Sequence, residues 1–111
     1  MHVSDQPPFH RRVFEWAIQC FGFPDATNKA MRNHRLVEQC LELVQSLGCT
    51  QEEVERITAY VFNRPAGVPM QEVGGTLVTL GALCAANGID MALCGEHELY
   101  RVNQNITVIR K

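Results

Sequence analysis

The sequence predicts an all-α protein, and three observations carry that prediction. Apolar residues recur at three- and four-residue intervals in one segment after another, no segment sustains the polar/apolar alternation of a half-buried strand, and no hairpin turn separates two alternating runs. With 111 residues the chain makes about one domain, and neither an internal repeat nor a long linker divides it. Residues 1–111 are therefore expected to form a single bundle of about five helices.

After a proline-rich leader, the first helix is predicted over Phe9 to Phe21, with Val13, Phe14, Ile18 and Phe21 on its apolar side and Gly22 and Pro24 ending it. The second and longest runs from about Ala26 to Leu47. Its stripe is Val37, Cys40, Leu41, Val44 and Leu47, and Gly48 is the stop. Thr50-x-x-Glu53 is a capping-box sequence, and the helix it opens continues to about Phe62. Asn63 to Pro69 reads as a rigid connector. A fourth helix, about Gln71 to Ala86, is rich in Gly and Ala, which permits close helix approach, and Asn87-Gly88 closes it. The last is predicted from about Glu96 to Ile109.

Charge and hydropathy exclude several roles. Ten Lys+Arg against twelve Asp+Glu give a net charge of −2, with no basic run to neutralise nucleic-acid phosphates. A helix-turn-helix around Leu47-Gly48-Cys49-Thr50 fails for the same reason, because Gln51, Glu52, Glu53 and Glu55 would repel phosphate. The longest apolar stretch, Val73 to Ala86, is too short for a membrane span and is broken by glycines and threonines. The opening MHVSDQPPFHRR holds no apolar signal segment, so the expected location is the cytoplasm. Five cysteines (Cys20, Cys40, Cys49, Cys84, Cys94), an odd number with no CxxC pair, are expected as small buried hydrophobes in a reducing compartment.

The residues that point to chemistry lie in the middle of the second helix. At about 100° per residue, Glu38 and Glu42 stand about 40° apart and Gln39 about 60° beyond Glu42, so the three share one face beside the apolar stripe. Two carboxylates at i,i+4 repel each other, and Glu72 near the start of the fourth helix would add a third if the two helices pack side by side. Such a group suits a hard divalent cation that keeps water and bridges to phosphate. The plain alternative is a solvated face paired with arginine, for which Arg35 is well spaced. Arg32, Asn33, His34 and Arg35 precede the acidic group by one to two turns, where they either contact phosphate or base or form ordinary solvated helix. Trp16 either stacks on a base or joins the core, and Phe14 is expected in the core. Arg101, Arg110 and Lys111 either steer a polyanion or offset a helix dipole, the second reading applying to Arg110 and Lys111. His10 and His97, without partners at metal spacing, are expected at the surface.

At these same residues the chain resembles a known family. Arg35-Leu-Val-Glu-Gln-Cys-Leu-Glu-Leu-Val-Gln-Ser-Leu-Gly48, then Tyr60 to Pro65, then Gln71-Glu-Val-Gly-Gly-Thr-Leu-Val-Thr-Leu-Gly-Ala-Leu-Cys84 resemble the phage-type branch of the MazG-like all-α nucleotide pyrophosphohydrolases. Phe9 to Val13, Trp16, Cys20 to Gly22, Arg32 to Arg35, Gly88 to Met91, Gly95-Glu96 and Glu98-Leu99 are similar to that branch too, so the likeness spans nearly the whole chain. It implies a homodimer or homotetramer that hydrolyses a nucleoside triphosphate to the monophosphate and pyrophosphate with Mg²⁺ or Mn²⁺. Relatives in the branch include MazZ-like dATP/dGTP diphosphohydrolases of phage, which makes dGTP or dATP the expected substrate and the host cytoplasm the expected location. On this resemblance Glu38, Glu42 and Glu72 hold metal, position 39 supplies the base, and Arg32, Asn33, His34, Arg35 and Trp16 contact substrate.

Two departures bear on activity. The family's E-E-x-x-E becomes Glu38-Gln39-Cys40-Leu41-Glu42, and its E-x-x-D becomes Glu72-Val73-Gly74-Gly75. An amide at position 39 keeps size and an oxygen but loses charge and basicity. Binding with weak turnover is the consequence, and a non-catalytic nucleotide-binding or regulatory module is the alternative. Asp90 either replaces the missing acidic partner or caps a helix.

Overall fold

Local chain chemistry sets the helix ends in the computed structural model, which describes residues 6–106. The described residues form six helices and no strand: α1 Phe9–Phe21, α2 Phe23–Ala26, α3 Lys29–Ser46, α4 Gln51–Phe62, α5 Pro69–Ala86 and α6 Met91–Gln104. They divide into two compact units. One takes the residues up to His34 and those from Ala92 onward; the other is Arg35–Met91, the division falling within α3 and at the start of α6.

In the first unit Pro8, fixed near a helical φ, begins α1, and its carbonyl accepts from the N–H groups of Arg11 and Arg12. Gly22, at φ +84°, ends the helix as its N–H closes on the Ile18 carbonyl at 2.8 Å. The chain then makes a sixth helix that the sequence reading did not contain. Pro24 lies at the start of α2, where a missing N–H costs nothing, and so begins a turn of helix instead of ending one. The Asn28 side chain accepts from the Met31 N–H at 3.0 Å and opens α3. The buried residues of this unit are Ala17, Cys20, Ala26 and Leu99. Val13, Ala17 and Cys20 recur along one face of α1, which leaves Phe14, about 100° away, 41% exposed and corrects its expected place in the core.

α6 begins five residues earlier than predicted. Gly95 lies inside the helix, where a Cβ would stand 3.2 Å from Cζ of Phe9, so its small size admits that ring. Asp90 immediately precedes Met91, the place of a cap. The predicted end at Ile109, together with Arg110 and Lys111, lies outside the described residues. His10 and His97 are exposed.

In the second unit, Gly48 at φ +93° and Cys49 close α3 by donating to the carbonyls of Gln45 and Val44 at 3.0 and 2.9 Å, the paired bonds of a Schellman stop. Gly88 at φ +65° and Ile89 repeat the arrangement behind α5. The predicted capping box is formed: Thr50 Oγ1 accepts from the Glu53 N–H at 3.2 Å, and the Thr50 N–H donates to Glu53 Oε1 at 2.9 Å. α5 starts at Pro69, two residues ahead of the prediction, because proline suits the first helical turn. Within Arg35–Met91 only Cys84 is buried, and Leu43, Val44, Val54, Leu80 and Leu83 are half-buried. Of the cysteines, Cys20 and Cys84 are buried as expected, Cys49 is half-buried, and Cys40 and Cys94 are exposed.

Candidate functional site

Glu38 and Glu42 sit one turn apart on α3, as the spacing requires, and both line an open groove of ≈ 590 Å³ against the start of α4, with Leu41, Gln45, Thr50 and Val54 among its walls. Glu38 Oε2 accepts from Arg35 Nη1 at 3.3 Å, an i,i+3 pair whose side chains are 69% and 58% exposed. A pair so exposed is worth little and yields readily to a competing cation. Gln39 is exposed and does not line this groove.

Glu72 stands elsewhere. In the first turn of α5 it lines a largely apolar groove of ≈ 460 Å³ with Cys40, Leu43 and Leu83, and also the cleft behind the 63–68 connector. Its carboxylate lies against Gly67, where a Cβ would meet Oε2 at 2.9 Å. A Cβ there would displace the end of the flexible Glu72 side chain. Among the described residues no three His, Cys, Asp or Glu side chains come together as a metal group. The acidic pair and Glu72 therefore occupy neighbouring but different grooves of the same unit.

In the first unit, Phe21 lies between two of the residues expected to contact substrate, Trp16 and Arg32. Trp16 meets it edge-on with ring centroids 5.4 Å apart, and the Arg32 guanidinium lies 5.3 Å over its face. Among the described residues, Trp16 Nε1 and Arg32 Nε are buried donors without an acceptor. Asn33 and His34 are exposed. Trp16 further lines a polar cleft of ≈ 330 Å³ with Arg12, Glu15, Gln19, Glu96 and Tyr100. The role of Phe21 had no signal in the sequence: it reads as one more apolar position of α1, eleven residues from the arginine it supports.

No protein family, no curated protein and no solved structure matches this chain. What the second unit offers chemically is an oxygen-rich edge. Two carboxylates one turn apart suit a hard divalent ion that takes one or two protein carboxylates and completes its shell with water and phosphate oxygens. A third protein ligand is not required for that. The loop of Phe62, Arg64 and Pro65 adds a cation held 4.2 Å over the Tyr60 ring.

Proposed function

We propose that this chain is a metal-dependent nucleoside triphosphate pyrophosphohydrolase, releasing pyrophosphate and a monophosphate, with dGTP or dATP as the substrate. The observation that supports it most directly is the pair Glu38 and Glu42, one turn apart on a groove of ≈ 590 Å³, a volume in the range of small-molecule sites. It stands beside the resemblance of Arg35 to Gly48, Tyr60 to Pro65 and Gln71 to Cys84 to the MazG-like pyrophosphohydrolases.

In this reading Glu38 and Glu42 hold Mg²⁺ or Mn²⁺, and Glu72, which lines the neighbouring groove, joins them only if substrate draws it across. A bound divalent ion screens the phosphates and lowers the pKa of attacking water. Arg35, released from Glu38 when the cation arrives, becomes free to meet phosphate. Gln39 stands where the resemblance puts the base, and an amide does not accept a proton at neutral pH. The unaltered chain thus binds nucleotide with slow turnover, and the second reading, a nucleotide-binding module without catalysis, rests on this one residue.

The test is pyrophosphate and monophosphate release from each dNTP with Mg²⁺, for this chain and Gln39→Glu, with dNTP binding followed in parallel. Turnover that rises in Gln39→Glu while binding stays level supports the hydrolase. Metal-dependent binding with no turnover in either form supports the binding module. No metal-dependent binding by either form overturns both.

A further inference from the structure

In the first unit, α1 and α6 leave a cleft of ≈ 330 Å³ between them, at the lower end of the range of small-molecule sites. Arg12, Glu15, Trp16 and Gln19 line it from α1. Glu96, Leu99, Tyr100 and Asn103 line it from α6, at the same three- and four-residue spacing. A seam at which two helices simply pack is apolar at that spacing, whereas here Leu99 is the one aliphatic residue among the lining side chains. Two helix faces built this way hold polar groups around a space.

Which of those groups are open decides the chemistry. Arg12 and Glu96 occupy each other in a two-pronged ion pair, both bonds at 2.7 Å. Among the lining residues Arg12 is the one cation, so an anion finds no free positive charge there. Glu15 is the carboxylate left over: among the described residues its side chain has no hydrogen bond or ion pair, and neither do those of Gln19 and Tyr100. Asn103 donates its Nδ2 to the Leu99 carbonyl at 3.0 Å, which leaves its Oδ1 to accept. The open groups are therefore mainly acceptors: one carboxylate, two amide oxygens and a phenol oxygen. A ligand for them brings several N–H donors and positive charge. Trp16 and Tyr100 suit the same ligand, because indole and phenol rings attract ammonium groups to their faces. A hard metal ion is less well served, with a single free carboxylate and no group of three ligating side chains among the described residues.

We propose that this cleft binds a short organic polyamine. Glu15 takes one ammonium, Gln19 and Asn103 accept from further N–H groups, and Trp16, Leu99 and Tyr100 flank the methylene chain. Bound there, the polyamine joins α1 to α6 and stabilises the first unit in proportion to its concentration. The inference is independent of nucleotide hydrolysis.

Calorimetric titration of the full chain with spermidine, at about 0.15 M salt and without nucleotide or Mg²⁺, tests it. The expected result is saturable one-to-one binding with Kd below about 1 mM, and a melting temperature that rises with spermidine. Glu15→Gln should weaken binding by at least about tenfold, and Tyr100→Ala by a smaller factor. Both residues are exposed, and circular dichroism checks that the helices persist. Glu55→Gln, an exposed carboxylate of α4, should leave the affinity level. An equal loss in Glu55→Gln overturns the proposal, because it reduces the binding to diffuse attraction by the net charge of −2. Displacement of spermidine by deoxyguanosine overturns it as well and gives the cleft to the base of a nucleotide. Absence of saturable binding overturns it outright, and leaves the hydrolase reading to its own test.

Discussion

Arg12 on α1 and Glu96 on α6, eighty-four residues apart, meet in a two-pronged ion pair, Nη1 to Oε1 and Nη2 to Oε2, both at 2.7 Å. The guanidinium also lies 5.5 Å from the centre of the Phe9 ring. Its hydrogen bonds, and secondarily its charge, hold the Glu96 carboxyl below the ordinary 4.5. Glu98 beside Arg101 and Glu53 at the Thr50 N–H are lowered in the same direction by their hydrogen bonds. A carboxyl whose native value is lowered adds stability that is present above its unfolded value and vanishes as pH falls through the native one. Arg12 and Arg101 are raised from an already high value and titrate far outside any working range. The melting temperature is therefore expected to hold level from neutral pH to about 5 and to fall below that. Glu96→Gln should flatten part of the acid-side fall, measured at one fixed protein concentration. A pH profile unchanged by Glu96→Gln would show that the pair carries no weight in solution.

The fork geometry gives a second expectation. Arg12→Lys keeps the charge but offers neither two parallel donors nor a flat ion for the Phe9 ring. It should therefore resemble Arg12→Ala more than the unaltered chain, in melting temperature and in amide exchange along α6. Full rescue by lysine would reduce the interaction to simple charge attraction.

Between α3 and α4 two local devices stand side by side and fail differently. Thr50→Ala removes the side-chain acceptor for the Glu53 N–H and is expected to cost about 1 kcal/mol. Gly48→Ala leaves every hydrogen bond in place but puts a Cβ on a residue at φ +93°, which costs on the order of 1 kcal/mol or more although no atom stands in its way. Urea titrations of both variants measure the two losses. A Gly48→Ala chain as stable as the parent would mean that the α3 stop relaxes to negative φ.

Helix ends bearing a chemical mark were legible in the sequence: Gly22, the Thr50 and Glu53 box, and the glycines behind α3 and α5 all act where their chemistry says. What escaped had the wrong mark or none. Pro24 and Pro69 begin helices although proline also ends them, and Gly95 lies inside α6 because the Phe9 ring needs the room. Periodicity finds an apolar face but not its cover, which is why Phe14 and Cys40 came out exposed. The same division runs through the candidate site. The Glu38 and Glu42 face follows from helical arithmetic alone, whereas the groove that Glu72 lines depends on where α5 lies against α3, which no local spacing carries.

That last dependence separates the carboxylates experimentally. Glu38 and Glu42 share a groove, and Glu72 lines the next one. If Glu38 and Glu42 suffice for a divalent ion with phosphate and water completing its shell, Glu42→Gln should weaken Mg²⁺-dependent dNTP binding by at least about tenfold. Glu72→Gln should then act mildly, because the carboxylate it removes faces Gly67 and an apolar wall. Calorimetric titration of dGTP at several Mg²⁺ concentrations reads both variants against the parent. Equal losses would mean that substrate draws Glu72 out of its place beside Gly67 and into the ion's shell, as the three-carboxylate set requires. In that case Gly67→Ala, which crowds the Glu72 carboxylate, should itself change the Mg²⁺ dependence, whereas under the two-carboxylate arrangement it should leave it unaltered.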